Sequence, residues 1–440
     1  METGTLTMTA RELQRYHLLK KVIAGEVTLS AVALAMGVSY RQAKRLKAQV
    51  AAHGASGIVH QNRGRPPSNK LPAAQREELL TLCQERYAVC NDTHCCEMLA
   101  SEHGMEVSRE TVRRLRRGAG MAPKRKRRVG AKHHKRRERK PAAGMMLLWD
   151  GSHHRWFGPE YPACCLLAAI DDATSDAVTL HLAPGETSAA YLTVLRQVVE
   201  QHGIPASIYQ DRHSALKRND DSWSLQEQLD GAQEPTQVGR ALAALGIEPI
   251  FAHSPQAKGR VERLFGTLQD RLSAELRLAG ITDLEAANAF LPGFLTRHNA
   301  RFAVAPAEGK AAWRRVPVGL DLERVISFRY EAVVGQDNAV RLGGHVLDLP
   351  PGPRGRGYAK RRAEVRQLLD GRWRVYDGNT LLLEAPATEV VEPLRRRKSL
   401  PHAPGAHEAE WVYLAPTAPA RGAGAHARQH GHGRLCTRIA

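Results

Sequence analysis

Apolar residues recur at helical spacing along the first 54 residues of the chain. The pattern runs through LQRYHLLKKVIAG, TLSAVALAMGV and SYRQAKRLKAQVAAHG. Gly37 permits a tight turn before the third segment, and Ser39 is a suitable N-cap for it. These features predict a helix-turn-helix DNA-binding domain in residues 1–60. Its last helix presents Tyr40, Arg41, Gln42, Lys44 and Arg45 to a groove. A plain three-helix bundle with a solvated basic face is the alternative.

A second helical pattern follows in residues 61–121, and it ends in SRETVRRLRRGAG. Ser108 caps a helix there, so this segment predicts a second DNA-binding domain. The side chains that it exposes are Thr111, Arg113, Arg114 and Arg117. The preceding stretch QNRGRPPSN is basic and extended, so Arg63 and Arg65 suit a narrow minor groove, and a plain Pro/Gly linker is equally compatible.

Residues 122–141 are almost free of apolar side chains, which indicates a basic connector. Residues 142–316 then alternate strand and helix patterns, with strands predicted in MMLLWDGSHHRWF, PACCLLAAIDDATSDAVTLHLA, PASIYQD and IEPIFAHSP. A strand meander followed by alternating helices and strands predicts a mixed sheet of the α/β class. Short alternating runs in residues 322–395, split by Gly- and Asp-rich turns, predict a small SH3-like β-barrel. Residues 396–440 have no periodicity and are expected to be a disordered tail.

The net charge adds information about the binding partner. The chain has 64 Lys and Arg and 45 Asp and Glu, which gives a net charge of +19 and a pI near 9.9. Such an excess favours a polyanion, and double-stranded DNA is the first candidate. The N-terminal segment lacks a signal-peptide pattern, and no apolar run approaches the length of a membrane span. We therefore expect a cytoplasmic protein of several domains with no membrane partner.

The chain contains cysteine and histidine residues that could bind zinc, but their spacing in the sequence is not the one usual for zinc sites. The seven cysteines are an odd number, which favours reduced thiols. A zinc site built from Cys83, Cys90, His94, Cys95 and Cys96 does not match the usual ligand spacing, so small core thiols are the simpler interpretation. His153 and His154 have no second ligand pair in sequence and suit a surface or DNA contact.

Three acids form the strongest chemical pattern. Asp150 and Asp211 each end an apolar strand pattern, and Glu262 lies at the edge of the apolar stripe of a helix, in line with Lys258 and Gln269. Carboxylates gathered at one sheet edge repel each other unless cations lie between them, and oxygen ligands suit Mg²⁺ or Mn²⁺. Two such ions support phosphoryl transfer. Asp171 and Asp172 compete for the first position, but they lie in a turn where Asp is common.

The stretches WDGSHHRWF, AIDDATSDAV, YQD and SPQAKGRVERLFGTLQDRL resemble the integrase core of DDE transposases. The layout of about residues 11–390 resembles the ISNCY group of bacterial insertion-sequence transposases. The resemblance implies a ribonuclease H-like fold, catalytic metal ligands at Asp150, Asp211 and Glu262, and Lys258 on a DNA phosphate. It also implies a homo-oligomer on DNA in the bacterial nucleoid. Arg212, His213 and Ser214 follow the second acid, where many relatives have Asp-Asn-Gly or Asp-Gly.

Two classes of function follow. The first is a transposase that binds terminal inverted repeats, cleaves 3′ ends and joins them to target DNA. The second is a DNA-binding regulator that has lost catalysis. A ribonuclease H-like nuclease would explain the core but not the two helical DNA-binding domains and the barrel. The presence of all three acids favours the enzyme.

Overall fold

The computed structural model of this protein describes residues 6–60, 62–64, 70–124, 137–218, 223–231, 233–252, 259–390 and 412–414. The chain divides between Leu80 and Thr81 into two compact units, whereas the sequence analysis placed its first boundary at residue 60. Within the described ranges, no helix is both long and apolar enough to cross a membrane.

The first unit contains the three predicted helices. They are α1 (Ala10–Ile23), α2 (Leu29–Met36) and α3 (Tyr40–His53), followed by a short 3₁₀ helix (Gly54–Ile58). Gly37 ends α2 at φ +65°, a left-handed conformation that glycine adopts without strain, and the Ser39 side chain accepts a hydrogen bond from the Gln42 amide at 3.2 Å. The turn between α2 and α3 is therefore fixed by local chemistry. A small core that includes Leu19, Val32 and Ala43 holds the helices together.

Three further helices lie next along the chain: α4 (Ala73–Glu85), α5 (Asp92–His103) and α6 (Arg109–Gly118). The unit boundary falls inside α4. Arg116 of α6 is buried, and its guanidinium donates to the Cys90 carbonyl oxygen and to an Asp92 carboxylate oxygen, both at 3.0 Å. This ion pair fastens α6 to the start of α5.

A five-stranded mixed sheet forms the centre of the second unit. Its strands are β1 (Leu147–His154), β2 (Cys164–Asp171), β3 (Ala177–Ala183), β4 (Ser207–Gln210) and β5 (Glu248–Phe251). Their spatial order is β3-β2-β1-β4-β5. The first three strands along the chain pair antiparallel, while β4 and β5 join β1 in parallel. This arrangement is consistent with a ribonuclease H-like fold.

Helices cover both faces of the sheet. They are α7 (Ser188–His202), α9 (Gln237–Ala244), α10 (Gly259–Leu278) and α11 (Leu284–Phe302), and the unit also contains the short helices α8 (Leu225–Asp230) and α12 (Leu322–Val325). Alternate residues of the strands divide between two apolar clusters, as the period of a strand requires. Trp149 shares a cluster with α7 and α9, whereas Leu148 shares the other with α10 and α11.

The C-terminal strands form two sheets, and the small barrel that the sequence predicts is not confirmed. A four-stranded sheet has the order β11-β10-β9-β6, and a three-stranded sheet has the order β12-β8-β7. The strands are β6 (Phe328–Val333), β7 (Ala339–Leu342), β8 (His345–Asp348), β9 (Arg362–Gln367), β10 (Trp373–Asp377), β11 (Thr380–Ala385) and β12 (Val412–Leu414). The hairpin of β7 and β8 gains β12 as a parallel neighbour, and this strand belongs to the segment expected to be disordered.

The four-stranded sheet is joined to the central sheet through α9. The Gln237 side chain donates to the Arg329 carbonyl oxygen and accepts from the Arg329 amide, both at 2.9 Å. Phe328 and Trp373 lie in the same apolar cluster as the buried face of α7. The C-terminal strands therefore share a core with the central sheet.

Asp171 and Asp172 are structural residues at the end of β2. Both are buried. Asp171 accepts from the Gly144 amide at 2.7 Å and from the amides of Ala173 and Thr174 at 2.9 and 3.0 Å. Asp172 pairs with the guanidiniums of Arg137 and Arg260. These contacts satisfy both carboxylates with protein donors.

We expect Asp171→Ala to lower the free energy of unfolding by about 2–4 kcal/mol, because several buried backbone donors lose their acceptor. Urea denaturation followed by tryptophan fluorescence measures this, since all six tryptophans lie after residue 80. Asp348→Ala removes an exposed aspartate and serves as the control, with an expected change below about 0.5 kcal/mol. Equal denaturation midpoints for the two variants would show that Asp171 has no structural role.

Candidate active site

Asp150 and Asp211 come together on neighbouring parallel strands. The register of β1 and β4 pairs Leu147 with Ile208 and Leu148 with Tyr209, so two further residues bring Asp150 beside Asp211. Neighbouring strands lie about 4.8 Å apart, and both aspartates fall on the side of Leu148 and Tyr209. Each is half-buried. This geometry gathers two carboxylates at one place.

The strand that carries Asp150 is longer than the sequence suggests. Its apolar run stops at Asp150, but β1 continues to His154 because β2 pairs with it as far as Cys164. Asp150 therefore lies within a strand, whereas Asp211 directly follows β4. A buried hydrogen bond of 2.8 Å from Trp149 Nε1 to Gln210 Oε1 fixes the two strands immediately before the acids.

A third carboxylate, Glu186, lies at this end of the sheet and is not among the acids that the sequence predicts for the site. It precedes α7, and the Tyr191 hydroxyl donates to its Oε1 at 2.6 Å. Burial raises the pKa of Tyr191 well above its ordinary value, and the negative charges of Glu186, Asp150 and Asp211 raise it further. The three acids thus act on one hydroxyl. The only sequence signal was an acid directly before Thr187, the N-cap of α7.

Glu262 lies in the first turn of α10 and is exposed, whereas the sequence predicted a half-buried side chain. Gln269, on the same strip of the helix, donates to Ser152 Oγ of β1 at 3.2 Å. Ser152 and Asp150 lie two residues apart on β1 and therefore on the same face of the sheet. The strip that carries Glu262 thus belongs to the side of α10 that meets this face.

Glu262 also lines a cleft of about 1400 Å³ between α5, α6 and α10. Within the described part of the chain, the cleft walls include neither Asp150 nor Asp211. Five arginines line it: Arg109, Arg113, Arg117, Arg263 and Arg271. The cleft therefore has an excess of positive charge around one candidate metal ligand, which suits a phosphate backbone.

Polar contacts attach α5 to α10. Arg271 pairs with Glu97 at 2.5 and 2.8 Å, and Asn91 donates to Asp270. Glu275 accepts from His94 at 3.2 Å and from Arg297 at 2.6 Å. The helices that were expected to form a separate DNA-binding domain therefore contact the helix that carries Glu262.

The predicted groove-facing residues of α3 are all exposed. Tyr40, Arg41, Gln42, Lys44 and Arg45 stand on the solvent side of the helix, while Ala43 is buried among the other helices of the first unit. This is the arrangement that a recognition helix requires.

The other predicted DNA contacts differ in their surroundings. Arg63 pairs with Glu12 and lowers the pKa of that carboxyl to about 2, so its guanidinium is engaged within the first unit. Arg113 and Arg114 both pair with Glu110, and Arg117 pairs with Asp92. Thr111 is half-buried beside Ser108. Arg65 and Lys258 lie outside the described residues.

The cysteines that were weighed as zinc ligands in the sequence are not the residues whose donor atoms lie together in the structure. Cys83 and Cys95 are buried with their sulfurs 3.3 Å apart, and burial raises the pKa of Cys90 to about 12. Among the described residues, the group whose donor atoms all lie within 4.8 Å of one another is instead His153, Cys165 and Glu186. His154 packs edge-on against Trp156.

Comparison with known proteins identifies the family. Residues 15–77 match the family model described as winged helix-turn helix. Over 370 residues the chain is 38% identical to the putative transposase y4bF of Sinorhizobium fredii (strain NBRC 101917 / NGR234), which covers 84% of this chain and 79% of that protein. The chain belongs to this transposase family. The transposase for insertion sequence IS1202 of Streptococcus pneumoniae is 32% identical over 332 residues, which cover 66% of this chain and 68% of that protein.

Two of the solved structures with some similarity to this transposase are viral integrases or their complexes. The HTLV-2 integrase catalytic core domain in complex with magnesium matches 34% of this chain and 83% of its own, with 18% identity and a TM-score of 0.23. The simian T-cell lymphotropic virus intasome in complex with PP2A regulatory subunit B56 gamma matches 72% of this chain and 100% of its own, with 13% identity and a TM-score of 0.28. These scores are too low to support a structural argument, so the fold rests on the strand order.

The contacts of Glu275 predict a pH-dependent contribution to the stability of this transposase. Burial alone would raise the pKa of Glu275, but hydrogen bonds from His94 and Arg297 lower it below its ordinary value of 4.5. The charged form therefore stabilises the fold above about pH 4.5, and this stabilisation is lost as pH falls through the lower folded pKa. We expect Glu275→Gln to cost about 1–3 kcal/mol at neutral pH and less toward pH 3.

Urea denaturation of both proteins across this pH range measures the effect. Glu285→Gln, at an exposed position on α11, is the matched control and should change stability by less than about 0.5 kcal/mol at any pH. A cost for Glu275→Gln that is the same at pH 3 and pH 7 would contradict the assignment.

Proposed function

We propose that this transposase binds the terminal inverted repeats of its insertion sequence, cleaves their 3′ ends and joins them to target DNA. The observation that carries the proposal is the placement of Asp150 beside Asp211 on parallel strands, in a chain that belongs to a transposase family. Glu262 is the third proposed catalytic acid. The chain would act as a homo-oligomer on DNA, as the resemblance to DDE transposases implies.

The donor set fits a hard divalent cation. Asp150 and Asp211 offer only oxygen atoms, and the register of β1 and β4 brings them side by side. Oxygen donors on a rigid sheet suit Mg²⁺ or Mn²⁺, and we propose that two such ions are held by Asp150, Asp211 and Glu262. When bound, the metal supplies charge stabilisation for the phosphoryl transfer and lowers the pKa of the attacking hydroxyl.

The protein's own residues position the DNA and the acids. The Trp149–Gln210 hydrogen bond holds the two aspartates at a fixed separation. Exposed Arg109 and Arg263 in the cleft attract the phosphate backbone beside Glu262. We propose that a DNA strand lies in this cleft. Its backbone would contact the arginines and continue to the aspartates, where the phosphate to be cut would lie.

The exposed position of Glu262 favours one alternative, a DNA-binding regulator without catalytic activity. Such a protein would retain DNA binding through α3 and the arginine-lined cleft but would not cut. Strand cleavage therefore decides between the two functions.

The first prediction concerns the acids and the metal. With DNA carrying the ends of the element, cleavage by the full-length protein should require Mg²⁺ or Mn²⁺ and stop in excess EDTA. Ca²⁺ should support DNA binding without turnover, because its looser coordination misplaces the reacting groups. Asp211→Asn and Glu262→Gln should each reduce the cleavage rate at least about a thousandfold, which corresponds to about 4 kcal/mol of lost transition-state stabilisation.

The control for charge loss is Glu285→Gln on α11, which should cleave at the wild-type rate. DNA binding by all three variants should remain within about threefold of wild type, so that a loss of cleavage is not a loss of affinity. Wild-type cleavage by Glu262→Gln would exclude Glu262 from the active site. Specific end binding by the wild-type protein without cleavage in either metal would establish the regulator.

The second prediction concerns recognition by α3. Replacing both Arg41 and Arg45 by Ala should weaken binding to the element's ends at least tenfold in a filter-binding or anisotropy titration. If both arginines contact phosphates, the slope of log affinity against log salt should fall by about 2. Replacing Lys20 and Lys21, two exposed lysines of α1, removes the same charge elsewhere and should have a smaller effect, equal for ends and unrelated DNA. Undiminished end binding by the α3 variant would refute this role.

A further inference from the structure

His153 and Cys165 are directly paired residues on adjacent antiparallel strands. The register of β1 and β2 places them opposite each other, so their side chains share one face of the sheet. Cys165 is fully buried, whereas His153 is exposed. A sulfur fixed in the core and an imidazole open to solvent therefore converge at one point of the sheet.

Glu186 completes this group from a third segment of the chain, before α7. Its Oε2 lies 3.7 Å from His153 Nε2, and the donor atoms of all three residues lie within 4.8 Å of one another. The carboxylate does not swing freely, because the Tyr191 hydroxyl donates to its other oxygen at 2.6 Å. Two of the three donors are thus held by the fold before any ligand arrives.

Gly151 provides the space in which Glu186 lies. A Cβ atom at position 151 would come within 2.8 Å of the Glu186 carboxylate and 3.0 Å of the Cys165 sulfur. Gly151 directly follows Asp150, so the donor group lies on the opposite face of β1 from Asp150 but only one residue away along the strand.

We propose that His153, Cys165 and Glu186 form a Zn²⁺ site, separate in chemistry from the Mg²⁺ site, whose occupation inhibits the transposase. One nitrogen, one sulfur and one oxygen donor suit Zn²⁺, which often binds three protein ligands and one water. Mg²⁺ does not favour thiolate or imidazole ligands. Tetrahedral bonds of about 2.1 Å hold ligand atoms roughly 3.4 Å apart, so the 3.7 Å separation needs little change.

Inhibition follows from position, and this part of the inference rests on the proposed function. Asp150 directly precedes Gly151, and the Glu186 carboxylate packs against Gly151. A dication held at Glu186 repels a second dication at the aspartates and changes the position of the Glu186 carboxylate. The catalytic metal would therefore bind more weakly when Zn²⁺ is present.

Cobalt titration of the full-length protein tests the metal site without any activity measurement. Co²⁺ bound to a thiolate in a tetrahedral site gives near-ultraviolet charge-transfer absorption and strong visible bands. We expect both in the wild-type protein, displaced by Zn²⁺ and retained in a large excess of Mg²⁺. Cys165→Ser should lose the charge-transfer absorption. Cys164→Ser, at the adjacent position on the opposite face of β2, is the matched control and should keep it.

Glu186→Gln keeps the thiol and should retain the charge-transfer absorption, but with at least tenfold weaker Co²⁺ binding. This variant decides the question if circular dichroism shows that Cys165→Ser is unfolded. Absence of the charge-transfer absorption in the wild-type protein, its persistence in folded Cys165→Ser, or unchanged affinity in Glu186→Gln would each overturn the site.

The inhibitory role has its own test in the strand-cleavage assay. Zn²⁺ at a concentration that displaces Co²⁺ should slow Mg²⁺-supported cleavage by the wild-type protein at least tenfold. Cys165→Ser, or Glu186→Gln if it retains cleavage, should be less sensitive to Zn²⁺. Equal inhibition of the wild-type and variant proteins would overturn the role. If no protein cleaves DNA, the proposed function fails, while the cobalt titration still decides whether the metal site exists.

Discussion

The parallel pairing of β1 with β4 is the constraint on which the candidate active site depends. It begins at Leu147 and Ile208 and is reinforced by the buried hydrogen bond from Trp149 to Gln210. A buried bond of this kind contributes about 1 kcal/mol on its own, but leaving either polar group unsatisfied costs more. The bond therefore selects one register. A shift of one residue would turn Asp150 or Asp211 to the opposite face and separate the two carboxylates.

The second constraint is the attachment of α5 to α10. Arg271 of α10 pairs with Glu97 of α5, and Glu275 of α10 accepts from His94 of α5, in a partly buried interface where charges are screened less than at the surface. Removing one partner from such a pair leaves the other without compensation. The helices α5 and α6 therefore do not form a DNA-binding domain that is independent of α10. Those after residue 80 are part of the unit that contains the central sheet.

Sequence patterns predicted the helices and strands well because their periodicity is local. The turn at Gly37, the apolar stripe of α10 and the mixed character of the central sheet could all be derived from the sequence. Glu186 could not, because its neighbours Gly151 and Tyr191 meet it only after the sheet has formed. The third strand of the smaller C-terminal sheet could not be predicted for a similar reason. The partner of β8 is β12, which comes from a segment more than 60 residues later that has no strand periodicity of its own.

The contacts between α5 and α10 also have a mechanical meaning. Arg116 and Asp92 hold α6 to α5, and Glu97 and Arg271 hold α5 to α10, so the three helices form a chain of charged joints. A movement of α6 would therefore act on α10 through these guanidinium–carboxylate pairs. In the proposed complex, with a DNA strand in the cleft, a displacement of α6 would act on α10 at Arg271, on the same helix as Glu262. The orientation of Glu262 would then respond to the shape of the DNA as well as to its presence.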